Sequence, residues 1–168
     1  MNRYTVAVLV RNQFGVLNRV TSMFRRRRFN ISALSVSETE SAEFSRITVL
    51  FDGDETGEQQ LVNQLYKLPD VCSIKELKKE ESFSAELVLI KLNNNPAVRD
   101  EILAAGKAFE AKTVDYSRDS IMFQLTADSR RIDDFINLMR DYEILEICRT
   151  GTISLERGAA TLRKITNY

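Results

Sequence analysis

Two short polar segments near the amino end have the residue types of a site for a small anion. Asn12 and Gly15 stand where an apolar segment gives way to a helical pattern, and Asn30 stands just before the next apolar segment. The first turn of a helix carries backbone N–H groups without intrahelical partners, which suit a carboxylate, and glycine lets the backbone turn sharply. The two places can be neighbours in space, which indicates a site for a small anion or an amino acid. The alternatives are a simple turn at a helix start and, for Asn30, a residue that ends a helix.

Four consecutive arginines, Arg25 to Arg28, form the most conspicuous charged run. Their functional interpretation would be contact with phosphate or nucleic acid. Successive helical residues are separated by about 100°, so four adjacent arginines spread around the helix and do not form one basic stripe. We place them at the C-terminal end of a helix, where each complements the helix dipole by about 0.3–1 kcal/mol. Contact with acidic residues of a partner is the alternative.

The chain lacks the residue patterns that catalysis requires. It contains no His, which is the commonest general base and metal ligand. Acidic neighbours such as Asp133 and Asp134 point apart on a helix and cannot form an acid–base couple. The sequence has no glycine-rich phosphate loop, no nucleophile beside a base and no cluster at metal-ligand spacing. We therefore expect a chain without catalytic activity, metal or cofactor of its own.

Composition places the chain among ordinary globular proteins. Its 168 residues are 43% hydrophobic, and 24 Lys and Arg balance 24 Asp and Glu, so we expect neither nucleic acid nor an anionic membrane as a partner. No apolar run reaches the 18–20 residues of a membrane helix, and the first residues lead straight into a strand, so we expect a cytoplasmic protein. Cys72 and Cys148 lie in apolar runs, which predicts buried thiols, with a disulfide as the alternative.

The hydrophobic pattern of the first half predicts the order strand, helix, strand, strand, helix, strand. This order is that of the ferredoxin-like sandwich, in which two helices cover one face of a four-stranded antiparallel sheet. Thr56 and Gln59 resemble a capping box at the start of the second helix, and the loop from Glu38 to Glu43 carries three glutamates. The predicted strands are residues 4–10, 31–37, 46–51 and 71–77, and the predicted inner helix faces are Val16, Leu17, Val20, Met23 and Phe24, then Leu61, Val62, Leu65 and Tyr66.

The second half predicts the same order of elements after a short polar stretch, so we expect an α+β chain of two ferredoxin-like domains. We place the first domain at residues 1–78, a linker at 79–83, the second domain at 84–158 and a tail at 159–168. Pro96 stands at a plausible first helical position. The predicted strands are residues 85–92, 111–116, 120–126 and 144–150, and the predicted helices are 96–106 and 129–140, with inner faces Val98, Ile102 and Ala105, then Ile132, Phe135, Ile136 and Met139.

Ordered motifs along both halves resemble one family, the small regulatory subunit of acetolactate synthase, also called acetohydroxyacid synthase. The first half of that family is an ACT domain, and its signature is similar to N-Q-F-G-V-L-N-R-V at residues 12–20. The segment E-I-C-R-T-G at residues 146–151 is similar to its C-terminal domain. Further matching segments are residues 28–32, 44–49, 67–71, 86–92, 114–116 and 157–158.

The resemblance implies a chain without catalytic activity that serves a large catalytic subunit, a transferase holding thiamine diphosphate, FAD and magnesium. It further implies activation of that subunit, feedback inhibition by valine or another branched-chain amino acid, and a homodimer through the ACT domains with effector sites between subunits. Carried over residue by residue, the effector-binding positions are Asn12, Gly15, Val16, Leu17, Asn30 and Ile31.

Two departures from the family pattern bear on the loops. Phe14 stands where many relatives carry a small residue or proline, and residues 126–128 lack a glycine that is common there. A stand-alone amino-acid sensor without a catalytic partner is the alternative function. A nucleic-acid-binding protein that uses Arg25 to Arg28 is a third and would show a steep dependence of affinity on salt.

Overall fold

The computed structural model describes residues 2–163 and shows the predicted order of helices and strands in both halves. The elements of the first half are β1 Asn2–Arg11, α1 Val16–Arg27, β2 Ile31–Glu38, β3 Phe44–Gly53, α2 Glu55–Leu65 and β4 Val71–Glu76. Those of the second half are β5 Ser82–Asn93, α3 Arg99–Ala108, β6 Lys112–Tyr116, β7 Ser120–Ala127, α4 Ser129–Met139, β8 Ile144–Arg149 and β9 Ile153–Glu156.

The chain divides into two compact units, and the first is discontinuous in sequence. Of the described residues, it joins 2–84 with 153–163, and the second unit is Ala85–Thr152. Residues 153–158 therefore group with the first unit, whereas the sequence assigned them to the second domain. The part of the expected tail beyond residue 163 lies outside the described residues.

The first unit is built on a four-stranded sheet in the order β2-β3-β1-β4. Every neighbouring pair is antiparallel, so β1 and β2 run in the same direction on either side of β3. Alternate residues of β1 and β3 point to one face, where α1 and α2 cover them. The core comprises Val6, Val8, Val10, Val16, Val20, Met23, Phe24, Ile47, Val49, Phe51, Leu61 and Leu65.

The opposite face of this sheet binds the C-terminal segment, residues 153–163, through two polar contacts to β9. Arg46 on β3 donates from Nη2 to the carbonyl oxygen of Ser154 at 2.7 Å, and Lys75 on β4 binds the carboxylate of Glu156 at 2.6 Å. Burial lowers the pKa of Arg46. These contacts explain why β9 groups with residues far from it in sequence.

The second unit repeats the sheet order as β6-β7-β5-β8. Gly106 on α3 lies so close to β7 that a Cβ atom there would meet the Phe123 ring at 2.6 Å, so only glycine permits this helix–sheet approach. The expected inner face of α4 is confirmed. The core comprises Val88, Ile90, Leu92, Ile102, Ile121, Phe123, Leu125, Ile132, Phe135, Ile136 and Met139.

The starts of two helices differ from the prediction. Asp54 caps α2 by accepting a hydrogen bond from the backbone N–H of Gly57 at 2.7 Å, so the capping box at Thr56 is wrong. Pro96 lies in a turn before α3, in which the Asn95 side chain accepts a hydrogen bond from the N–H of Ala97. The helix therefore begins at Arg99 and not at Pro96.

Several side chains predicted to be buried are exposed. Leu17 and Tyr66 lie at the edges of the inner faces of their helices and remain 44% and 53% exposed. Cys72 and Cys148 are free, exposed cysteines, so the predictions of buried thiols and of a disulfide are both wrong. Cys148 pairs with Leu89 on β5, which alternates with the core residues Val88 and Ile90, so it lies on the sheet face that the helices do not cover. Cys72 lies at the irregularity in the pairing of β4 with β1.

No described helix has both the length and the apolar character needed to cross a membrane.

Candidate functional site: the turn before the first helix

The turn from Asn12 to Gly15 leaves backbone donors available at the start of α1. Gly15 has φ +82°, in the left-handed region, and no side chain caps the helix. Among residues 2–163, no backbone carbonyl accepts a hydrogen bond from the N–H groups of Phe14, Gly15 or Leu17. Such donors, together with the helix dipole, suit a carboxylate.

Asn12 connects this turn to the acidic β2–β3 loop. Its Nδ2 donates to Glu38 Oε1 at 3.1 Å and to the carbonyl oxygen of Ala42 at 3.0 Å. Its backbone N–H donates to the carbonyl oxygen of Glu43 at 2.7 Å. These contacts hold the exposed carboxylate of Glu38 beside the turn.

Arg19 is a candidate residue that sequence reasoning missed. It lies one helical turn after Gly15, and its Nη1 is 3.5 Å from the position that a Cβ atom would take at Gly15. Its Nε donates to Asp70 Oδ2 at 2.7 Å, which fixes the guanidinium at the turn. The spacing of four residues after the glycine was the available signal, because such residues share a helix face.

The apolar residues of the turn differ in exposure. Val16 is buried in the core, Leu17 is partly exposed and Phe14 is fully exposed. The turn therefore presents an apolar surface beside the free N–H groups.

Asn30 and Ile31 lie at the opposite end of the sheet from Asn12 and Gly15. Ile31 on β2 and Tyr4 on β1 both pair with Phe51 on β3. Arg11, at the turn, is seven residues beyond Tyr4, which is about 23 Å along the strand. Within one chain the two polar segments are therefore far apart, because β1 and β2 run in the same direction.

The surroundings of Asn30 include a carboxylate that is already paired. The Asn30 carbonyl oxygen accepts a bond from the N–H of Asp52 at 3.4 Å. Hydrogen bonds from Ser32 and Arg3 lower the pKa of the Asp52 carboxyl. Asp52, near the end of β3, is therefore hydrogen-bonded to Ser32 at the start of β2.

A second polar cluster lies in the second unit. The buried Glu86 carboxylate binds Arg149 and accepts a bond from Ser129 Oγ at 3.0 Å. Arg149 also binds Asp133 at 2.8 Å, and the hydrogen bond to Glu86 raises the pKa of Arg149. Each charge in this cluster has a partner, and the cluster joins β5, β8 and α4.

Two further features complete the description of the polar surface. Among residues 2–163, no three His, Cys, Asp or Glu side chains are placed to hold a metal ion. A cavity of about 740 Å³ in the first unit lies between the sheet and the C-terminal segment. Among its charged residues, Lys75 pairs with Glu156 and Glu40 pairs with Arg163. The other two, Glu38 and Arg46, bind Asn12 and the carbonyl oxygen of Ser154.

Comparisons with known proteins agree with this architecture over both units. The family described as "AHAS small subunit-like ACT domain" matches residues 6–73. The family described as "Small subunit of acetolactate synthase" matches residues 85–158.

Individual relatives extend the match over nearly the whole chain. A probable acetolactate synthase small subunit from Archaeoglobus fulgidus is 42% identical over 93% of this chain and 98% of its own length. The acetolactate synthase small subunit of Bacillus subtilis is 41% identical over 91% of this chain and 90% of its own length. The crystal structure of the acetolactate synthase small subunit from Thermotoga maritima superimposes with a TM-score of 0.88 at 31% identity, covering 95% of this chain and all of the other. The chain therefore belongs to the acetolactate synthase small-subunit family.

Proposed function

We propose that this chain is the regulatory subunit that activates the large catalytic subunit of acetolactate synthase. We further propose that it confers feedback inhibition by valine or another branched-chain amino acid. Membership of the small-subunit family supports the regulatory role, and the turn before α1 supports the amino-acid effector. The two free, exposed cysteines are typical of a reducing compartment and favour a cytoplasmic location.

The observation that carries the proposal is the position of two half-sites at opposite ends of the outermost strand. Strand β2 lies at the edge of the first sheet, and an edge strand offers its backbone groups to another strand. If two copies pair antiparallel through β2, the start of β2 in one copy meets the end of β2 in the other. Asn30 and Ile31 of one copy then approach Glu38, Asn12 and Gly15 of the second. A site that one chain leaves divided is completed by a homodimer.

The chemistry of the joined half-sites fits an amino acid with an apolar side chain. The N–H groups of Phe14, Gly15 and Leu17 receive the carboxylate, helped by the charge of Arg19. The Glu38 carboxylate and the Asn30 side chain receive the ammonium group. Leu17 and Ile31 line the space for the side chain, which favours a branched aliphatic group over a charged one.

Binding across the interface provides the regulatory mechanism. A ligand shifts the population of two subunit arrangements only if it binds one of them more tightly. An effector bound by two copies binds the paired arrangement more tightly, because separation or rotation of the copies divides its site. The catalytic partner, which we expect to hold thiamine diphosphate, FAD and magnesium, performs the transferase reaction. We propose no catalytic role for this chain.

The test uses the holoenzyme reconstituted from the purified large subunit and the Asn30→Ala chain. We expect the variant to activate the large subunit as the unchanged chain does and to lose inhibition by valine, leucine and isoleucine. Asn137→Ala, on the exposed surface of α4, is the matched control and should keep normal inhibition. Titration calorimetry of the isolated chains should show the same difference in binding. Normal inhibition of the Asn30→Ala holoenzyme would show that the site assignment is wrong, and failure of the chain to alter large-subunit activity would indicate a stand-alone sensor.

A further inference from the structure

The arginine cluster, defined as Arg25 to Arg28, is exposed and has no partner within the described chain. All four side chains are exposed, and none makes an ion pair or a side-chain hydrogen bond with residues 2–163. Many other cations of the chain are engaged: Arg3, Arg19, Lys75, Lys91, Arg131, Arg149 and Arg163 all bind carboxylates. The cluster is therefore an uncompensated positive patch on a chain of zero net charge.

Arg28 occupies a backbone position that favours glycine. Its φ is +57°, in the left-handed region. Its N–H donates to the carbonyl of Arg25 at 3.2 Å, and the N–H of Phe29 donates to the carbonyl of Phe24 at 3.1 Å. These two bonds form the Schellman motif, whose left-handed residue is usually glycine because a Cβ atom is unfavourable there. An arginine held in this strained position without an intrachain contact points to a contact outside the chain.

An acidic loop lies at the other end of the same edge strand. The loop between β2 and β3, with the last residue of β2, contains Glu38, Glu40 and Glu43, all exposed. Arg163 contacts Glu40 at 3.7 Å, and the side chain of Glu43 has no hydrogen-bonded or ionic partner among residues 2–163. The arginine cluster therefore precedes β2, and a set of negative charges follows it.

We propose that the arginine cluster of one copy binds the acidic loop of a second copy. The inference rests on the antiparallel pairing of β2 strands proposed above. If the eight residues of β2 pair over their full length, Ile31 lies opposite Glu38 of the second copy. Continuing the pairing outward, Asn30 lies opposite Thr39, and Arg28 lies opposite Ser41, between Glu40 and Glu43.

Twofold symmetry produces this contact twice in each dimer, once at either end of the paired strands. The arginine cluster is two residues from Asn30, and the acidic loop binds Asn12, so each contact borders one effector pocket. The ion pairs hold the two half-sites together and select the antiparallel arrangement, because parallel pairing would set arginines against arginines. The homodimer should consequently dissociate more readily as the salt concentration rises.

The experiment exchanges the charges in two variants of the full chain. In the first, Arg25, Arg26 and Arg27 become Glu; in the second, Glu40 and Glu43 become Arg, and Glu38 is retained because it binds Asn12. Sedimentation at low salt should show that the dissociation constant of the dimer rises on the order of tenfold for each variant alone, relative to the unchanged chain. The reason is that several small attractions become repulsions at both contacts. An equimolar mixture should restore dimers that contain one copy of each variant. Two copies of the same variant repel each other at both contacts, whereas one copy of each variant attracts the other at both. The dimer with one copy of each variant is therefore the favoured one.

The matched control reverses three exposed arginines of the second unit, Arg118, Arg130 and Arg140, and should leave the dissociation constant of the dimer unchanged. A mixture of the two variants that associates no better than either alone overturns the proposal. So does a reversal that leaves the dimer intact and instead weakens binding to the large subunit or to duplex DNA. A wild-type chain that stays monomeric overturns the β2 pairing itself, whereas a wild-type dimer unaffected by the reversal overturns only this contact.

Discussion

Gly15 immediately precedes α1 with a positive φ of 82°, and its surroundings leave room for a small side chain. A Cβ atom there would meet only Arg19 Nη1, at 3.5 Å, which is an ordinary contact distance. The requirement for glycine thus comes from the backbone conformation and from the access it gives a ligand to the free N–H groups. Steric crowding within the chain contributes little.

We expect Gly15→Ala to destabilise the chain by about 1 kcal/mol, because the left-handed conformation costs an alanine that much. It should also weaken valine binding, because the added methyl group faces the proposed carboxylate position. Gly158→Ala is a useful control, since that residue has φ +76° and no atom within 4 Å of the added carbon. It should show a similar loss in urea-induced unfolding and unchanged binding in calorimetry. Equal binding by both variants would contradict the proposed carboxylate position.

Glu58 on α2 is an acidic residue whose environment disfavours its charge. Burial raises the pKa of its carboxyl group, and the negative charges of Glu76 and Glu55 raise it further. The ionised form therefore weakens the folded state at neutral pH. This penalty disappears when the group is protonated in both the folded and the unfolded chain.

Glu58→Gln should accordingly stabilise the chain at pH 7, by less than about 1 kcal/mol because the residue is only partly buried and solvent screens its neighbours. Since the folded pKa is raised, the gain should be complete above that pKa and vanish as the pH falls below about 4.3, the ordinary value for Glu. Urea unfolding of both chains between pH 4 and pH 8 measures this difference. A gain that persists undiminished at pH 4 would exclude the electrostatic explanation.

At the scale of elements, two helices end with a charged residue in the left-handed conformation. Arg28 follows α1 and Glu110 follows α3, with φ values of 57° and 60°. Glu110 has an intrachain partner in Arg131, at 3.7 Å, whereas Arg28 has none among residues 2–163. The left-handed backbone conformation therefore occurs at Glu110, whose side chain has an intrachain ion pair, and at Arg28, whose side chain has none among residues 2–163.

Replacing either residue with glycine should stabilise the chain by about 0.5–1 kcal/mol, because glycine adopts the left-handed conformation freely. Thermal unfolding in about 1 M salt, where the Debye length is near 3 Å and ion pairs are screened, should show a gain for both variants. At low salt, only Arg28→Gly should weaken the dimer. A variant that is both more stable and less associated cannot be explained by misfolding.

The pattern of hydrophobic residues predicted most elements, because burial of one face imposes its period on a helix or a strand. The pattern failed where a helix cap or the burial of a side chain depended on atoms outside the element. Asp54 caps α2 in place of Thr56, since both residue types suit the position and the local backbone selects between them. Leu17 follows the apolar period of α1 but is 44% exposed, which the period alone does not reveal.

The residues of the proposed site could be named from the sequence, and the resemblance implied that two subunits share them. Asn12, Gly15 and Asn30 have residue types that suit such a site, but their separation within one chain follows from the strand order β2-β3-β1-β4. That order makes β1 and β2 run in the same direction, and no short-range pattern records it. Arg19 was missed because an arginine on a helix is usually solvated, and its salt bridge to Asp70 joins residues 51 positions apart.

At the scale of the whole molecule, the first unit includes the segment that is last among the described residues. Arg46 and Lys75 on the first sheet bind Ser154 and Glu156. Strand β9 was absent from the sequence-based prediction, because its four residues give too short a pattern and its partners are distant in sequence.

Ending the chain after Thr152 should destabilise the first unit by about 2 kcal/mol or more, chiefly because the partly buried Arg46 loses its carbonyl acceptor. Hydrogen exchange should accelerate at the amides of β1, β3 and β4 and change little at those of β7. A chain that ends after Gly158 retains both contacts, and we expect it to exchange nearly as slowly as the full chain. Uniform acceleration in both units would contradict the assignment of β9 to the first.

The discontinuity of the first unit also bears on the order in which the protein is made. Ser84 leaves the ribosome well before Ile153, since 153 − 84 = 69 residues separate them. At about 5–20 residues per second, that interval lasts roughly 3–14 s. During this time the nascent sheet can fold against its helices while the face that will receive β9 stays open to water, with Ala7, Leu9 and Leu50 on it. A segment synthesised well after Ser84 thus completes the unit that Ser84 belongs to, and chains interrupted before Ile153 would expose this apolar face to chaperones and proteases.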